Sequence, residues 1–398
     1  MISFFYRLKN IFLSYNHHKQ ITDNLKFIDK YSKNKNINSS DEKIRLISKS
    51  FVQFKLQSKS RPIISLLFFE IFCFLILIPY TLYLIFKSYK NLSNLKSENI
   101  VLIKAKSEVF KIPNEFIDSS VELLLKDRKI YFENLKIIKD IFIISLLNGY
   151  YFNFQFLLKS IKEISCYYPA IKNNELNNAL VFLEFDCCIS LLKYLFNNNN
   201  VELVNIQHGD QLISAHYSFV EVDKFYFWNQ HYYEMFKKMN VKCEPFFFKK
   251  NGGVKIIKSE APDIITFLEP QLAHFAYDKE KYNLFVKNLI KKINETSQKE
   301  RVILRYHPRY SDTKTLNLFV KANIKLENSR TVSYEETIKK SKLILGTWSA
   351  LLVDSSINDT ETVILKCDLS EELNKYHFLF REKNVKHLKI QNLNLNEL

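Results

Sequence analysis

The chain of 398 residues is longer than one typical hydrophobic core supports, so two or three domains are expected. Its hydrophobic fraction of 47% excludes a disordered protein, and its formal net charge of +16 indicates an anionic partner: nucleic acid, a membrane surface or an anionic substrate. Basic residues are densest in the first ninety positions, beside an apolar segment, and they form no arm with interleaved aromatic residues. A membrane surface is therefore favoured over nucleic acid.

The glycines and cysteines of the chain argue against Gly-rich nucleotide-binding loops and against cysteine metal sites. The five glycines form neither a Walker A loop nor a GxGxxG motif, so a P-loop ATPase and a dinucleotide-dependent dehydrogenase are disfavoured. The six cysteines form no CxxC pair and have no histidine pair at zinc spacing. We therefore expect reduced, mostly buried thiols in a cytosolic compartment, with no metal or other cofactor.

Residues 1–98 are predicted to form a basic helical region that contains an apolar segment at 63–86. This segment has about the ~20 residues that a membrane span needs, and Glu70 is its only charge. The basic N-terminal arm and a nucleotide-using domain both favour the cytoplasm, and Pro79 can kink a helix. A re-entrant or interfacial element at the cytoplasmic face of the inner membrane is therefore favoured over a single crossing. The alternative is a buried core helix pair, and Glu70 needs a partner or protonation.

Residues 99–250 alternate between strand-like and helix-like segments, which is typical of a parallel sheet covered by helices. The predicted strands are 100–103, 179–184, 201–207 and 224–228, and the predicted helices are 136–147, 151–165, 187–196 and 231–239.

A turn-rich break at 249–253 predicts a link to a second domain, 251–398, in which the alternation restarts. Its predicted strands are 263–268, 302–306, 324–326, 343–345 and 362–365, and its predicted helices are 279–296, 316–322, 333–341 and 350–355. The last thirty residues are predicted to be helical and then polar. The expected fold is α/β, with two Rossmann-like domains that face a cleft and a helical, membrane-associating N-terminal region.

Two polar positions follow strands in the first domain. His208 follows a buried strand and precedes Gly209, which permits a tight turn. Glu184 ends the preceding strand, and ligands of parallel sheets bind beyond the carboxyl ends of strands. These residues are therefore candidates for the catalytic base, with Glu184 either acting as the base or orienting the imidazole. Alternatively, His208 caps a strand or helix end.

The second domain has a corresponding cluster at the end of its second strand. Arg305 and His307 alternate along the strand and so share a face, Pro308 fixes the exit direction, and Arg309 follows. Cationic donors in this place suit a nucleotide phosphate, although a solvated surface turn is the alternative.

Three further residues begin a helix after a strand of the second domain. Gly346, Thr347 and Ser349 offer hydroxyl groups and free amides, which suit an anion, although plain helix capping is the alternative. Glu269 ends another strand and could contact the same ligand. The chain contains no DxD motif, so a metal-dependent single-Rossmann glycosyltransferase is disfavoured.

These motifs resemble bacterial surface-polysaccharide glycosyltransferases of the two-Rossmann (GT-B) architecture, including capsule-synthesis, sialyltransferase-like and Kdo-transferase-like enzymes. The resemblance is carried by residues 179–184, 204–209, 223–228, 305–309 and 346–349. It implies metal-independent transfer of a sugar from a nucleotide-sugar donor, CMP-linked as for sialic acid or Kdo, to a cell-surface glycan or lipid-linked acceptor such as a lipopolysaccharide. The His-Pro pair and the Ser/Thr segment would hold the donor.

The resemblance also assigns residues to the acceptor side, namely Gln207, Gly209 and Asp210. Two alternatives stay open. One is a CDP-glycerol or CDP-ribitol polyol-phosphate transferase, which shares the two-domain layout with a histidine in each half. The other is a non-catalytic membrane-associated scaffold.

Overall fold

The computed structural model confirms an α/β fold with two Rossmann-like domains. It describes residues 21–58, 63–87, 99–103, 112–117, 120–124, 128–148, 153–172, 176–207, 213–248, 259, 261–271, 278–308, 311–367, 378–382 and 385–397. The described residues from 22 to 248 form one compact unit, and those from 259 onward form a second. Each unit contains a six-stranded sheet whose strands pair in parallel. The turn-rich link at 249–253 lies outside the described residues.

The first sheet has the strand order β2-β1-β3-β4-β5-β6. Its strands are β1 (Asn99–Ile103), β2 (Ser120–Leu124), β3 (Asn178–Val181), β4 (Glu202–Ile206), β5 (Glu221–Phe227) and β6 (Lys242–Phe247). The direction of the strand order reverses between β1 and β3, which is where doubly wound sheets bind ligands.

Helices before and between these strands belong to the same unit. They are α1 (Ile21–Ser32), α2 (Glu42–Ser58), α3 (Ile63–Phe86), α4 (Asn114–Ile117), α5 (Asn134–Leu147), α6 (Phe154–Lys172), α7 (Ile189–Asn197) and α8 (Gln230–Lys238). Helix α2 is tied to α7, because the Leu191 amide donates to the Ser50 hydroxyl over 2.8 Å.

The second sheet has the order β12-β11-β10-β7-β8-β9, which is the 3-2-1-4-5-6 order of a dinucleotide-binding fold. Its strands are β7 (Ile264–Leu268), β8 (Val302–Tyr306), β9 (Lys325–Asn328), β10 (Ser341–Gly346), β11 (Glu361–Lys366) and β12 (Lys386–Lys389). Its helices are α9 (Lys279–Asn294), α10 (Thr313–Lys321), α11 (Tyr334–Lys340) and α12 (Ala350–Ile357). Short 3₁₀ turns occupy Asn36–Asn38, Ala215–Tyr217, Lys299–Arg301, Phe378–Arg381 and Ile390–Asn392.

The interior strands of the second sheet supply its hydrophobic core. Phe267 on β7 and Leu304 on β8 are fully buried and pack in one cluster with Leu289 of α9. Fully burying such side chains contributes about 1.5–3 kcal/mol each, so the central strands and the helices that cover them stabilise one another.

Two predictions about chain segments are corrected. The described part of the last thirty residues contains β12 and two 3₁₀ turns, not the predicted helix. The strand predicted at 179–184 ends at Val181. β12 is formed by pairing with β11, which the local pattern does not report, and beyond β3 the Leu183 amide donates to the Asn205 side chain instead of to a neighbouring strand.

The apolar segment at 63–86 forms the single continuous helix α3, which includes Pro79. Its side chains are mostly exposed, so the alternative of a buried core helix pair is wrong. Among the described residues, it is the helix that is long and apolar enough to cross a membrane. Glu70 has the partner that its position required, because its carboxylate accepts from the Gln155 amide at the start of α6 over 3.2 Å.

Candidate active site at the carboxyl ends of the strands

Three neighbouring strands of the second sheet end at one edge. In the sheet β7 lies between β10 and β8, with Phe267 opposite both Leu345 and Leu304. The residues that follow these strands are Thr347 after β10, Glu269 after β7 and His307 after β8. The order of the strands reverses between β7 and β10, so this edge is the switch point at which doubly wound sheets hold nucleotides.

Gly346 is required by the close approach of two of these strands. A Cβ atom added at Gly346 would lie 3.0 Å from the Cβ of Leu268 on β7, which is closer than side chains normally pack. The glycine therefore lets β10 end tightly against β7.

Glu269 is a buried carboxyl group at this edge with a raised pKa. Its side chain is only 8% exposed, its Oε2 accepts a hydrogen bond from the Ser311 hydroxyl, and its Oε1 has no partner among the described residues. Burial raises the pKa of Glu269 to about 8, and the negative charge of Asp312 adds to the effect. The carboxyl group is therefore protonated at neutral pH and can donate a hydrogen bond to a ligand.

Ser311 connects Glu269 to His307. Its hydroxyl accepts from the His307 amide over 3.2 Å, and its own amide donates to the His307 carbonyl over 3.0 Å. These two hydrogen bonds hold His307 and Ser311 next to each other after β8. Ser311 has no distinguishing sequence signal except its place before Asp312, the N-cap of α10, and it was not among the predicted site residues. Arg309, the second predicted phosphate ligand of this loop, lies outside the described residues.

Arg305 has internal partners. Its Nη1 donates to Glu327 Oε1 and to the Thr337 hydroxyl, each over 2.7 Å, and its Nη2 donates to the Val332 carbonyl over 3.1 Å. The buried guanidinium therefore ties β8 to β9 and α11. This placement favours a structural role over the phosphate contact that we predicted.

The start of α12 is compatible with both interpretations of Thr347 and Ser349, namely anion binding and helix capping. Ser349 has extended backbone geometry and is the N-cap, with its hydroxyl accepting from the Leu351 amide over 3.2 Å. Thr347 is buried just before it. Capping by Ser349 does not exclude an anion at the same helix end, since only part of the first turn is satisfied by the cap.

A pair of variants at Ser349 separates these roles. Ser349→Ala removes the cap and is expected to lower the stability of the second unit by about 1 kcal/mol. Ser349→Asp keeps a capping oxygen but adds a negative charge, so it is expected to retain stability and to weaken binding of any phosphate there. Urea unfolding and nucleotide titration of both variants measure the two effects. Unchanged nucleotide binding by Ser349→Asp would assign the residue to capping alone.

The raised pKa of Glu269 predicts a pH dependence of stability. The folded state keeps the proton up to about pH 8, whereas the unfolded carboxyl releases it near its ordinary pKa of 4.5. The folded state thus binds more protons in this window, and stability falls as the pH rises through it, by on the order of 5 kcal/mol. The difference between the urea midpoints at pH 5 and pH 8.5 should be smaller in Glu269→Gln than in the parent protein. Equal pH slopes in the two proteins would contradict the buried, protonated carboxyl.

The first sheet also places polar groups beyond its strands. Glu184 is fully buried three residues after β3, and Asn205 on β4 donates to its Oε2 over 3.4 Å. The side-chain Oδ1 of Asn205 in turn accepts from the Leu183 backbone amide over 2.8 Å, so this side chain holds the loop after β3. Asn205 was not among the predicted site residues, although a polar residue inside an apolar strand indicates a special role.

Gln207 lies at the end of the neighbouring strand and is fully buried. Its Oε1 accepts from the Trp228 amide and its backbone amide donates to the Tyr226 carbonyl, both over 3.0 Å. His208, Gly209 and Asp210 lie outside the described residues, so the predicted proximity of Glu184 and His208 stays a prediction.

One group of side chains in the first unit has the composition of a metal site. The ligand atoms of Asp186, Cys187 and Cys188 lie within 4.8 Å of one another. However, the ammonium group of Lys159 is 3.4 Å from the Asp186 carboxylate. A positive charge already balances this carboxylate, so the group suits a charge-paired core better than a cation.

No protein-family profile and no curated protein matches the chain. Solved structures with a similar arrangement include the UDP-GlcNAc 2-epimerase of Methanocaldococcus jannaschii in complex with UDP-GlcNAc and UDP, with a TM-score of 0.44, 13% identity, and coverage of 74% of this chain and 89% of that chain.

Two further structures are similar at the same low level. The glycotransferase of kitacinnamycin has a TM-score of 0.36 and 6% identity, with coverage of 75% of this chain and 88% of that chain. The wall teichoic acid polymerase TagF has a TM-score of 0.36 and 10% identity, with coverage of 90% and 86%. At these scores the likenesses do not establish a family.

Proposed function

We propose that this protein is a metal-independent transferase that binds a nucleotide-activated donor at the carboxyl edge of its second sheet. The observation that carries the proposal is the convergence of Glu269, His307 and Thr347 at the switch point of a 3-2-1-4-5-6 sheet. A buried carboxyl group at such an edge, with one oxygen that has no partner among the described residues, is costly unless a ligand uses it.

The proposal assigns roles to this edge. His307 and the amides at the start of α12 would hold the donor phosphate, and Arg309 would add a positive charge. The protonated carboxyl of Glu269 would donate its hydrogen bond to a donor oxygen. Stabilising the negative charge that develops on the leaving nucleotide supplies much of the rate in such transfers.

The acceptor side is proposed to lie on the first unit, with Gln207, Gly209 and Asp210. An acceptor hydroxyl oxygen forms a bond to the anomeric carbon, the bond from that carbon to the donor phosphate oxygen breaks, and the hydroxyl proton passes to a base. Because Glu184 is fully buried, we assign it the orienting role and His208 the role of base.

The finer assignment rests on the sequence resemblance. We propose a CMP-linked sugar of the sialic acid or Kdo kind as donor, and a cell-surface glycan or glycolipid as acceptor. A CDP-linked polyol is the second candidate, since it would use the same cytidine and phosphate contacts. In that case the acceptor would gain a polyol phosphate instead of a sugar.

Thermal unfolding of the purified chain tests the proposal. CMP, CDP, UDP, GDP and their sugar or polyol conjugates would be compared at equal concentration. A ligand that binds the native state alone stabilises it by about 2.7 kcal/mol at one hundred times its Kd. We expect selective stabilisation by cytidine nucleotides, and mass analysis of the acceptor product then separates sugar from polyol-phosphate transfer. No response to any nucleotide would overturn the transferase proposal.

A further inference from the structure

Helix α3 has two different sides. The side that faces the unit carries Glu70, Cys73, Tyr80 and Leu84, spaced three to four residues or seven residues apart as one helical face requires. The opposite side is called here the apolar face of α3. It consists of Leu67, Phe68, Phe69, Ile71, Phe72, Phe74, Leu75, Ile78, Leu82, Tyr83 and Phe86, all of them exposed.

The apolar face is too extensive for an ordinary surface. Phe68 is 68% exposed and Phe86 is 78% exposed, and no charged residue interrupts the face along about five turns. Monomeric soluble proteins rarely expose continuous apolar areas beyond a few hundred Å² unless the area binds a partner or a membrane.

The inner side of α3 is fixed to the folded unit at three levels. Near its start, the Glu70 carboxylate accepts from the Gln155 amide over 3.2 Å. In its second half, Arg128 Nη1 donates to the Tyr80 hydroxyl over 3.4 Å, and near its end the Ile130 amide donates to the Leu84 carbonyl over 3.2 Å. The helix is therefore part of the domain surface and is not a detached anchor.

The flank of α3 carries positive charge. A cavity of about 370 Å³ lies between α2, α3 and α6, with an apolar lining that includes Ile76 and Leu158. Its charged lining residues are Lys162 and Lys159, and the Lys159 ammonium group is already paired with the Asp186 carboxylate over 3.4 Å. Lys162 and Arg128, which lies beside Tyr80, thus accompany the apolar face as cationic groups, in a chain whose formal net charge is +16. This combination complements the anionic headgroups and acyl chains of a lipid leaflet.

From these contacts we infer that the apolar face of α3 inserts into one leaflet of an anionic bilayer, with the helix axis in the plane of the membrane. A crossing orientation would bring α6 and the segment around Ile130 into the hydrocarbon together with α3. Lys159, Lys162 and the irregular backbone at Ile130 would then be buried in lipid, which is strongly unfavourable.

Vesicle flotation with the full chain tests whether the occupant is a membrane. The variant Phe68→Asp/Leu75→Asp/Phe86→Asp changes three exposed positions, and Leu284→Asp, at a 60% exposed leucine of α9, is the matched control. The parent and control should float with vesicles of phosphatidylcholine and phosphatidylglycerol (3:1), and the triple variant should lose at least tenfold in bound fraction. Equal flotation of the parent and the triple variant would overturn the inference. It would also be overturned if the parent did not bind vesicles but formed dimers that the triple variant does not form.

Quenching by brominated lipids tests the in-plane orientation. Tryptophan would be placed at Phe68, Leu75 or Phe86, and the quenching in excess of the parent protein measured with bromine near the headgroup or near the chain end. An in-plane helix predicts one shallow depth for all three positions. If the tryptophan at position 75 were deep while those at positions 68 and 86 were shallow, α3 would cross the membrane. That result would overturn the inference even if the parent protein floats with vesicles.

Discussion

Replacing Glu221 by leucine is expected to lower the free energy of unfolding of the first unit by about 3–5 kcal/mol. The Glu221 carboxylate, on β5, pairs with Lys49, whose side chain is fully buried in α2, and with Arg45 over 3.2 Å. Burial lowers the pKa of Lys49 to about 8 even though Glu221 favours its charged form. Without Glu221 the ammonium group loses the charge that compensates its burial, and the contact between α2 and the sheet weakens.

The double variant Lys49→Met/Glu221→Leu is the matched control. It removes both buried charges and keeps comparable volume, so it should recover most of the lost stability, since apolar replacements of buried ion pairs are often neutral or stabilising. Urea unfolding followed by circular dichroism measures both variants. A loss below 1 kcal/mol in the single variant, or a double variant less stable than the single one, would show that the pair does not hold α2 in place.

The variant His307→Ala is expected to weaken binding of a cytidine nucleotide by roughly 10–100-fold, which corresponds to a lost hydrogen bond to a charged group. His307 follows β8 at the switch point, and its backbone is held by Ser311. Its side chain is half-buried, so the fold should tolerate the change. Isothermal titration of the parent and variant with the same nucleotide gives the ratio of dissociation constants.

His231→Ala provides the control for this titration. His231 is a half-buried histidine on α8 of the first unit and belongs to no proposed donor contact. It should bind nucleotide as the parent does. If both variants lost affinity equally, the effect would reflect general destabilisation; if His307→Ala bound normally, the loop after β8 would not be a donor site.

The interior strands of both sheets follow directly from local sequence. Val302–Tyr306 is observed as predicted, because a strand buried on both faces needs a continuous apolar run that few other structures require. The missed strands β2, β6 and β12 all lie at sheet edges. Edge strands bury less surface and carry polar residues or proline, as β6 does at Pro245, so their pattern resembles that of loops.

The candidate site could be predicted only in part, because the local sequence pattern does not determine the order of strands in a sheet. Glu269, His307 and Thr347 were each recognised as residues after strands, but their convergence depends on β7 lying between β8 and β10. Arg305 was also predicted as a site residue, but the structure gives it internal partners instead. Its partners Glu327 and Thr337 are 22 and 32 residues away, and only the tertiary structure reveals that they occupy the guanidinium.

Hydrogen–deuterium exchange of the full chain with and without CMP tests most directly whether the edge of the second sheet is the donor site. The account predicts slower exchange in the segments after β7, β8 and β10, namely 268–271, 306–312 and 346–352, because amides that contact a ligand or border it open less often. These three segments are distant in sequence and meet only at the switch point. Protection confined to the first unit, or to a surface that includes none of the three segments, would contradict the account.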